Sequence, residues 1–371
     1  MAVPETTIWD RDPHTEAKHR VIAGYFDAWF PIMTSTFPSL TVFEGYAGPG
    51  TYEKGEDGSP LIALQRLVDR QELLNGNKAV RFVFIESRKD RLDVLQATVA
   101  ERFPQLPHGI TVGFSHGGCE ERWEQSLTSA GSWGMPIFAN LDPFGPGVPY
   151  RLVERLGQNK SSEVLVTFMS DWLRRFATLT DIDAGDVQFG TTDWRKVAEL
   201  GDPEEKELFL VEEYRRTLSR AGFMLTSPFK LTDEGGHAFY LIFGTGHRRG
   251  LERMKDSMWR TDPVQGLSFR DPRDPNQGIL DFGNPEPDLS PLVAILSTRL
   301  ESAGVGGLTI GELKDFAVLS TGFRAPHVTR AVQVILGRGT ATRDPIRGQL
   351  TKQVRIRLRE PNYALASRPT F

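Results

Sequence analysis

Five short apolar runs, each ending where the chain turns polar or glycine-rich, limit what this sequence can fold into more than any other feature. They are LTVFEG at 40–45, VRFVFIE at 80–86, ITVGF at 110–114, PIFANLD at 136–142 and EVLVTFM at 163–169. The last two lack polar alternation, as strands buried on both faces do. Helical stretches at 59–69 and 88–103 separate the first three runs. The alternation predicts an α/β fold, a mostly parallel sheet covered by helices, with ligands bound at the carboxyl ends of the strands. An N-terminal helix from Glu16 to about Met33, capped by Thr15, places Val21, Ile22, Tyr25, Phe26 and Trp29 on one face.

Beyond the fifth run the pattern changes. Residues 170–203 are polar and irregular and read as an insertion, and a helix at 204–221 follows. Runs at 223–232 and 237–244, joined by DEGG, predict an antiparallel hairpin. Rossmann dehydrogenases generally finish with another parallel crossover, whereas class I methyltransferases finish with a reversed last strand. The order read here is the second. Residues 261–290 are proline-rich without apolar periodicity, a linker or wrapping segment between a first domain, 1–260, and a second, 291–371. Helices at 291–302, 309–319 and 325–337, then a strand carrying Val354, Ile356 and Leu358, match the winged-helix pattern.

Composition adds a compartment and a charge asymmetry. The chain has 371 residues, 39% apolar and 25% charged, and one cysteine, Cys119, which excludes an internal disulfide or a cysteine-built metal cage. The N-terminus lacks the apolar core of a signal peptide, and no segment approaches the ~20 apolar residues of a membrane span, so a cytoplasmic location and no membrane association are expected. From Ser290 onward 12 Lys+Arg face 5 Asp+Glu, a net of +7, which leaves −11 on residues 1–289. A basic tail on an acidic body predicts an anionic partner, with nucleic acid the leading candidate.

Three strand ends carry the chemistry. In VFEGYAGPGT, 42–51, Glu44 ends the first strand, and Gly45, Gly48 and Gly50 let the backbone approach a ligand beside Tyr46. No Lys-Ser/Thr pair follows, which argues against a phosphate-cradling loop. Glu86 ends the second strand, where a carboxylate can accept ribose hydroxyls. In NLDPFG, Asp142 ends the fourth strand, Pro143 halts the ladder and frees a carbonyl, and Phe144 offers a stacking face. Carboxylate and carbonyl together could accept both N–H groups of an exocyclic amine. The histidines show no zincin-like spacing, and no metal site is expected.

The acid-x-aromatic-Ala-Gly-x-Gly spacing resembles the first motif of nucleic-acid amino-methyltransferases. The fourth-strand turn resembles their acid-Pro-Pro-aromatic motif, with Phe144 in place of the second proline and Gly145 in place of the aromatic, and more closely the DPFG motif of tRNA guanine-N2 methyltransferases. FEGYAGPGTY, GSPLIAL, FVFIE, LDPFG, YLIFGTGHRRGLERMKDSMW and the N-terminal Lys18-His19 helix together resemble the three-Cys-motif partner family over residues 10–260. That resemblance implies a class I S-adenosylmethionine-dependent methyltransferase fold, with Glu44, Gly45, Tyr46, Gly48, Gly50, Glu86 and Asp142 at the cofactor and Asp142, Pro143 and Phe144 at the reacting group. It also implies a separate iron–sulfur protein with three cysteines as partner.

The third helix of the tail places Val328, Ala331, Val332 and Ile335 inward and leaves His327, Arg330 and Gln333 outward. With Arg343, Arg347, Lys352, Arg355 and Arg357 these form the expected nucleic-acid surface. Three functions stay open: methylation of an exocyclic amino group of a base in DNA or RNA, a catalytically silent nucleic-acid adaptor for the iron–sulfur partner, or methylation of a small molecule or protein, since a DPFG-type turn does not itself identify its acceptor.

Overall fold

A computed structural model describes residues 5–145, 147–179, 183–270, 273 and 286–359. Its contacts divide into two units, Met1–Gly283 and Asn284–Phe371.

The first unit opens with helix α1 (Pro13–Thr36), whose inner stripe of Val21, Ile22, Tyr25, Phe26, Trp29 and Phe30 is at most 2% exposed. Proline at its first position spares a backbone donor that would have no partner, and the residue before it is Asp12, so the helix starts one turn earlier than a Thr15 cap predicts. Pro31 removes the donor that would meet the Asp27 carbonyl, and Arg70 donates to that carbonyl instead at 2.7 Å.

The strands are β1 (Ser39–Glu44), β2 (Ala79–Glu86), β3 (Ile110–His116), β4 (Ile137–Leu141), β5 (Glu163–Phe168), β6 (Leu225–Thr232), β7 (Ala238–Thr245) and β8 (Ser268–Arg270). They form one sheet in the order β3-β2-β1-β4-β5-β7-β6-β8. The first five are parallel, and β7 enters antiparallel between β5 and β6. The arrangement is mixed α/β with a large, mostly parallel sheet that resembles the class I methyltransferase fold. All five residues of β4 and all six of β5 are buried, which explains their missing alternation.

Helices cover both faces: α2 (Ser59–Val68), α3 (Lys89–Arg102), α4 (Cys119–Ser129), α5 (Tyr150–Gln158), α6 (Asp171–Phe176), α7 (Ala184–Phe189), α8 (Pro203–Ala221) and α9 (Arg248–Thr261). Two expectations are corrected here. The stretch 170–203 holds α6, α7 and a 3-10 turn, Asp193–Glu199, and buries Phe189 and Trp194 stacked 5.9 Å apart, so it builds core. The segment read as a linker or wrapping stretch supplies β8, which pairs parallel with β6 as an edge strand and so belongs to the sheet. The remainder of that segment lies mostly outside the described residues.

The second unit runs α10 (Ser290–Ala303), β9 (Leu308–Thr309), α11 (Ile310–Ser320), α12 (Ala325–Gly337), β10 (Ala341–Asp344) and β11 (Arg355–Leu358). Its strands form an antiparallel sheet in the order β10-β11-β9. Leu296, Leu313, Val328, Ala331, Val332 and Ile356 are fully buried and tie the helices to the sheet. Thr309 and Glu312 form a reciprocal capping box at the start of α11.

Candidate active site

The turn after β1 is tied to the tips of both neighbouring strands. Gly45 N donates to the Asn140 carbonyl of β4, Ala47 N to the Ile85 carbonyl of β2, and Gly48 N to Glu86 Oε2 at 2.8 Å. Gly48 and Gly50 have φ of +64° and +74°, a left-handed backbone that L side chains adopt only with strain. A Cβ on Gly50 would stand 2.4 Å from Leu95 Cδ1. Glycine is therefore required twice, once for conformation and once for space.

A cleft of about 230 Å³ opens above this turn. Its walls include Tyr46, Gly48 and Gly50, then Asp142 and Phe144 after β4, and Lys18 and His19 from α1. Three of the expected residues lie behind the wall. Glu86 is 6% exposed, and its carboxylate accepts from Gly48 N, Arg88 N and Ser87 Oγ, so it braces the turn. Gly45 packs on Cys119 and Leu141. Glu44 is 1% exposed, and its Oε2 accepts from Ser59 Oγ at 2.9 Å and Asn140 Nδ2 at 2.8 Å. Burial pushes the Glu44 carboxyl up to about 8, with Asp142 adding to the rise, so it is mostly protonated at neutral pH.

Asp142 has a partner that its own motif does not announce. Lys18 Nζ lies 2.5 Å from Asp142 Oδ2. Burial opposes the Asp142 charge, but the Lys18 charge and hydrogen bond outweigh it and hold the carboxyl below its ordinary range. His19 beside them is pushed down to about 3 by burial and by Lys18, and is uncharged. The sequence does carry a signal for the ion pair: Lys18 sits three and four residues before Val21 and Ile22, so a lysine falls on an apolar stripe and needs a buried acid.

Aromatic rings complete the cleft. Trp9 stands edge-on to Phe144 at 6.1 Å and to Tyr52 at 5.7 Å, and the Arg91 guanidinium covers its ring at 4.7 Å. Trp9, Tyr52, Lys18 and His19 were not among the expected site residues. Tyr46 OH donates to Glu120 Oε1 at 2.7 Å, and burial raises its pKa. Burial likewise raises that of Cys119, which packs on Gly45 as an unreactive core thiol. Among the described residues no group of three or more His, Cys, Asp or Glu could hold a metal, and no helix is long and apolar enough to cross a membrane.

In the second unit, one expected nucleic-acid contact is overturned. His327 is 2% exposed, bonded to Arg324 and set edge-on against Phe323, and is pushed down to about 4 by burial. It belongs to the core of that unit because the start of α12 turns it inward. Arg330 pairs with Glu286 at 2.5 Å. Arg355 binds the carbonyls of Gly306 and Gly307, Arg343 those of Pro345 and Gln349, and Arg357 pairs with Asp344. Arg347 and Lys352 are exposed and make no ion pair among the described residues.

No protein-family model matches the chain, and no curated protein matches it by sequence. Several solved structures superpose on part of it. EvdMO1 is 9% identical with a TM-score of 0.33 over 62% of this chain, which spans only 42% of that protein. The N-terminal domain of EvdMO1, determined in the presence of SAH and D-fucose, is 10% identical over 64% of this chain and 84% of that one, with a TM-score of 0.32. Precorrin-6y C5,15-methyltransferase of Geobacter metallireducens GS-15 is 11% identical over 59% of this chain and 86% of that one, with a TM-score of 0.29. The fold assignment rests on the strand order, and no family model supports the finer expectation of the three-Cys-motif partner family.

Proposed function

We propose that the chain is an S-adenosylmethionine-dependent methyltransferase that acts on an exocyclic amino group of a nucleobase in DNA or RNA. The observation that carries this reading is Asp142, ion-paired with Lys18 at the tip of β4 in the same cleft as the left-handed glycine turn of β1. The turn at Tyr46–Gly50, its backbone bare at Gly48 and Gly50, fits the close approach such a cofactor needs, and Glu86 keeps it in shape through Gly48 N. When bound there, the cofactor supplies an electrophilic methyl group.

The remaining work falls to the chain's own side chains. Lys18 holds Asp142 Oδ2 and Thr167 meets the same carboxylate, whose remaining acceptor capacity would take an amino N–H and turn the nitrogen lone pair toward the glycine turn. Phe144 and Trp9 provide faces for a planar base. Neutral His19 adds no positive charge to the cleft. The reacting nitrogen sheds its proton only after it has formed the new bond, so a strong base is unnecessary. Asp142, kept ionised, serves by orientation.

We read the second unit as a winged helix, on its order of helix, strand, two helices and two strands. Its exposed Arg347 and Lys352 suit phosphate contacts, and binding through them should weaken as salt rises. A three-cysteine iron–sulfur protein as partner follows from the motif resemblance alone. The test is calorimetry with S-adenosylmethionine, followed by a tritiated-methyl assay on mixed DNA and RNA. Label in nucleic acid that disappears with Asp142→Ala supports the enzyme. Cofactor binding without label transfer supports the adaptor, and no cofactor binding overturns the enzyme while leaving the adaptor.

A further inference from the structure

A second cavity of about 220 Å³ lies at the opposite end of the sheet, where β5 begins and β7 ends. Nothing in the methyl-transfer reading uses it. Its walls are apolar: Tyr25, Trp29, Ile32 and Met33 along one side of α1, and Phe37 just beyond that helix. Its floor is Glu163, 3% exposed, which accepts from Tyr25 OH at 2.6 Å and Thr245 Oγ1 at 2.7 Å. Burial raises the Glu163 pKa, which weakens the charge it could present to a neighbour. Helix α9 packs directly on that carboxyl, since a Cβ on Gly250 would meet Glu163 Oε1 at 2.1 Å.

The rim is cationic. His247, Arg249 and Arg253 all reach the cavity from the start of α9, within the GHRRGLERMKDSMW stretch that the methyl-transfer reading leaves without a role. Arg253 is paired with Asp256 at 3.1 Å, and His247 Nε2 meets Ser161 Oγ at 3.2 Å. Arg249 is exposed and makes no hydrogen bond or ion pair among the described residues. An apolar chamber closed by an unspent guanidinium matches a ligand with a hydrocarbon body and an anionic head. The size is also suitable, because an apolar cavity of about 150 Å³ takes benzene. A chamber of about 220 Å³ leaves room for a ring and a short acid arm.

We propose that this cavity binds a small aryl or alkyl carboxylate, its body between Trp29 and Ile32 and its carboxylate on Arg249. The inference is independent of the reaction assigned to the cleft. Calorimetric titration of the full chain with phenylacetate and with its neutral amide, phenylacetamide, tests it. Phenylacetate should bind at least about tenfold more tightly than the amide, since a charge-assisted pair replaces a neutral one. Arg249→Gln, a change at an exposed side chain, should erase that difference and leave the amide unaffected. Ile32→Trp, which fills the chamber, should remove both. Equal affinity for acid and amide, no saturation by either, or phenylacetate binding that survives both substitutions overturns the proposal. So does binding that depends on Asp142 and not on Arg249, because it would place the acid in the cleft.

Discussion

The two ends of the central sheet bury carboxyl groups in opposite ways. At the carboxyl ends of the strands Asp142 faces an ammonium, Lys18, and is held ionised. At the amino ends Glu163 is bonded by neutral donors, the Tyr25 phenol and the Thr245 hydroxyl, and its pKa rises through burial. Both groups are taken out of water, so burial alone does not decide the charge. The partner does, and the end where a cation pairs with the buried carboxylate is the one whose backbone is also shaped for a ligand. Glu44, one strand away from Asp142 and bonded only to neutral donors, sharpens the contrast: it rises to about 8 beside a group that falls.

The largest effect should come from deleting the charged acceptor. Asp142→Ala is expected to lower methyl transfer by about 100-fold, the range of a lost positioning contact, with cofactor affinity changed far less. Equal losses in transfer and binding, read by tritium incorporation and calorimetry, would move Asp142 from the reacting group to the cofactor.

Next comes Lys18→Met, which strands the Asp142 carboxylate. Breaking a fully buried pair costs about 3–5 kcal/mol, and the 25% exposure of the Asp142 side chain brings the loss down to or below that lower limit, about 2–3 kcal/mol in urea unfolding at neutral pH. Lys18→Met with Asp142→Asn should recover most of it, because no unpaired charge remains. A double variant as unstable as the single one would show that Lys18 contributes packing.

Stability against pH separates the two carboxyls at the carboxyl end. Glu44 has its folded pKa raised from 4.5 to about 8, so its contribution is present in full below the lower value and fades as pH climbs through the upper one. Asp142 is lowered from 3.8, so its contribution is present above that value and fades as the solution is acidified below it. Glu44→Gln should flatten the alkaline loss, and the Lys18→Met/Asp142→Asn double variant the acidic one. Matching profiles from thermal unfolding would remove the contrast.

The smallest effect belongs to the amino end. Tyr25→Phe removes one neutral donor from Glu163 and should cost about 1 kcal/mol, since Thr245 still satisfies the other oxygen. A loss as large as that of Lys18→Met would mean that Glu163 is charged.

Much of this arrangement is legible along the chain. The parallel strands announce themselves because strands buried on both faces concentrate apolar residues, and their tips announce themselves because glycine, proline and acids interrupt those runs. Other parts are hidden for local reasons. Strand β8 is three residues of mixed polarity and takes its identity from β6 beside it. The short helices α6 and α7 fall below the length at which a periodic pattern can be recognised. His327 occupies a position whose inward turn depends on contacts with Arg324 and Phe323 at the start of α12.

Sequence alone was enough for the five parallel strands, the antiparallel hairpin after them and the positions of Glu44, Glu86 and Asp142 at strand tips, because these follow from local periodicity and turn chemistry. Tertiary packing decided their roles. Lys18 reaches Asp142 across 124 positions, Gly48 takes one face of Glu86, and Asn140 with Ser59 takes one oxygen of Glu44. A carboxyl group's charge and availability depend on which neighbours displace its water, and those neighbours come from elements that meet only when the chain has folded.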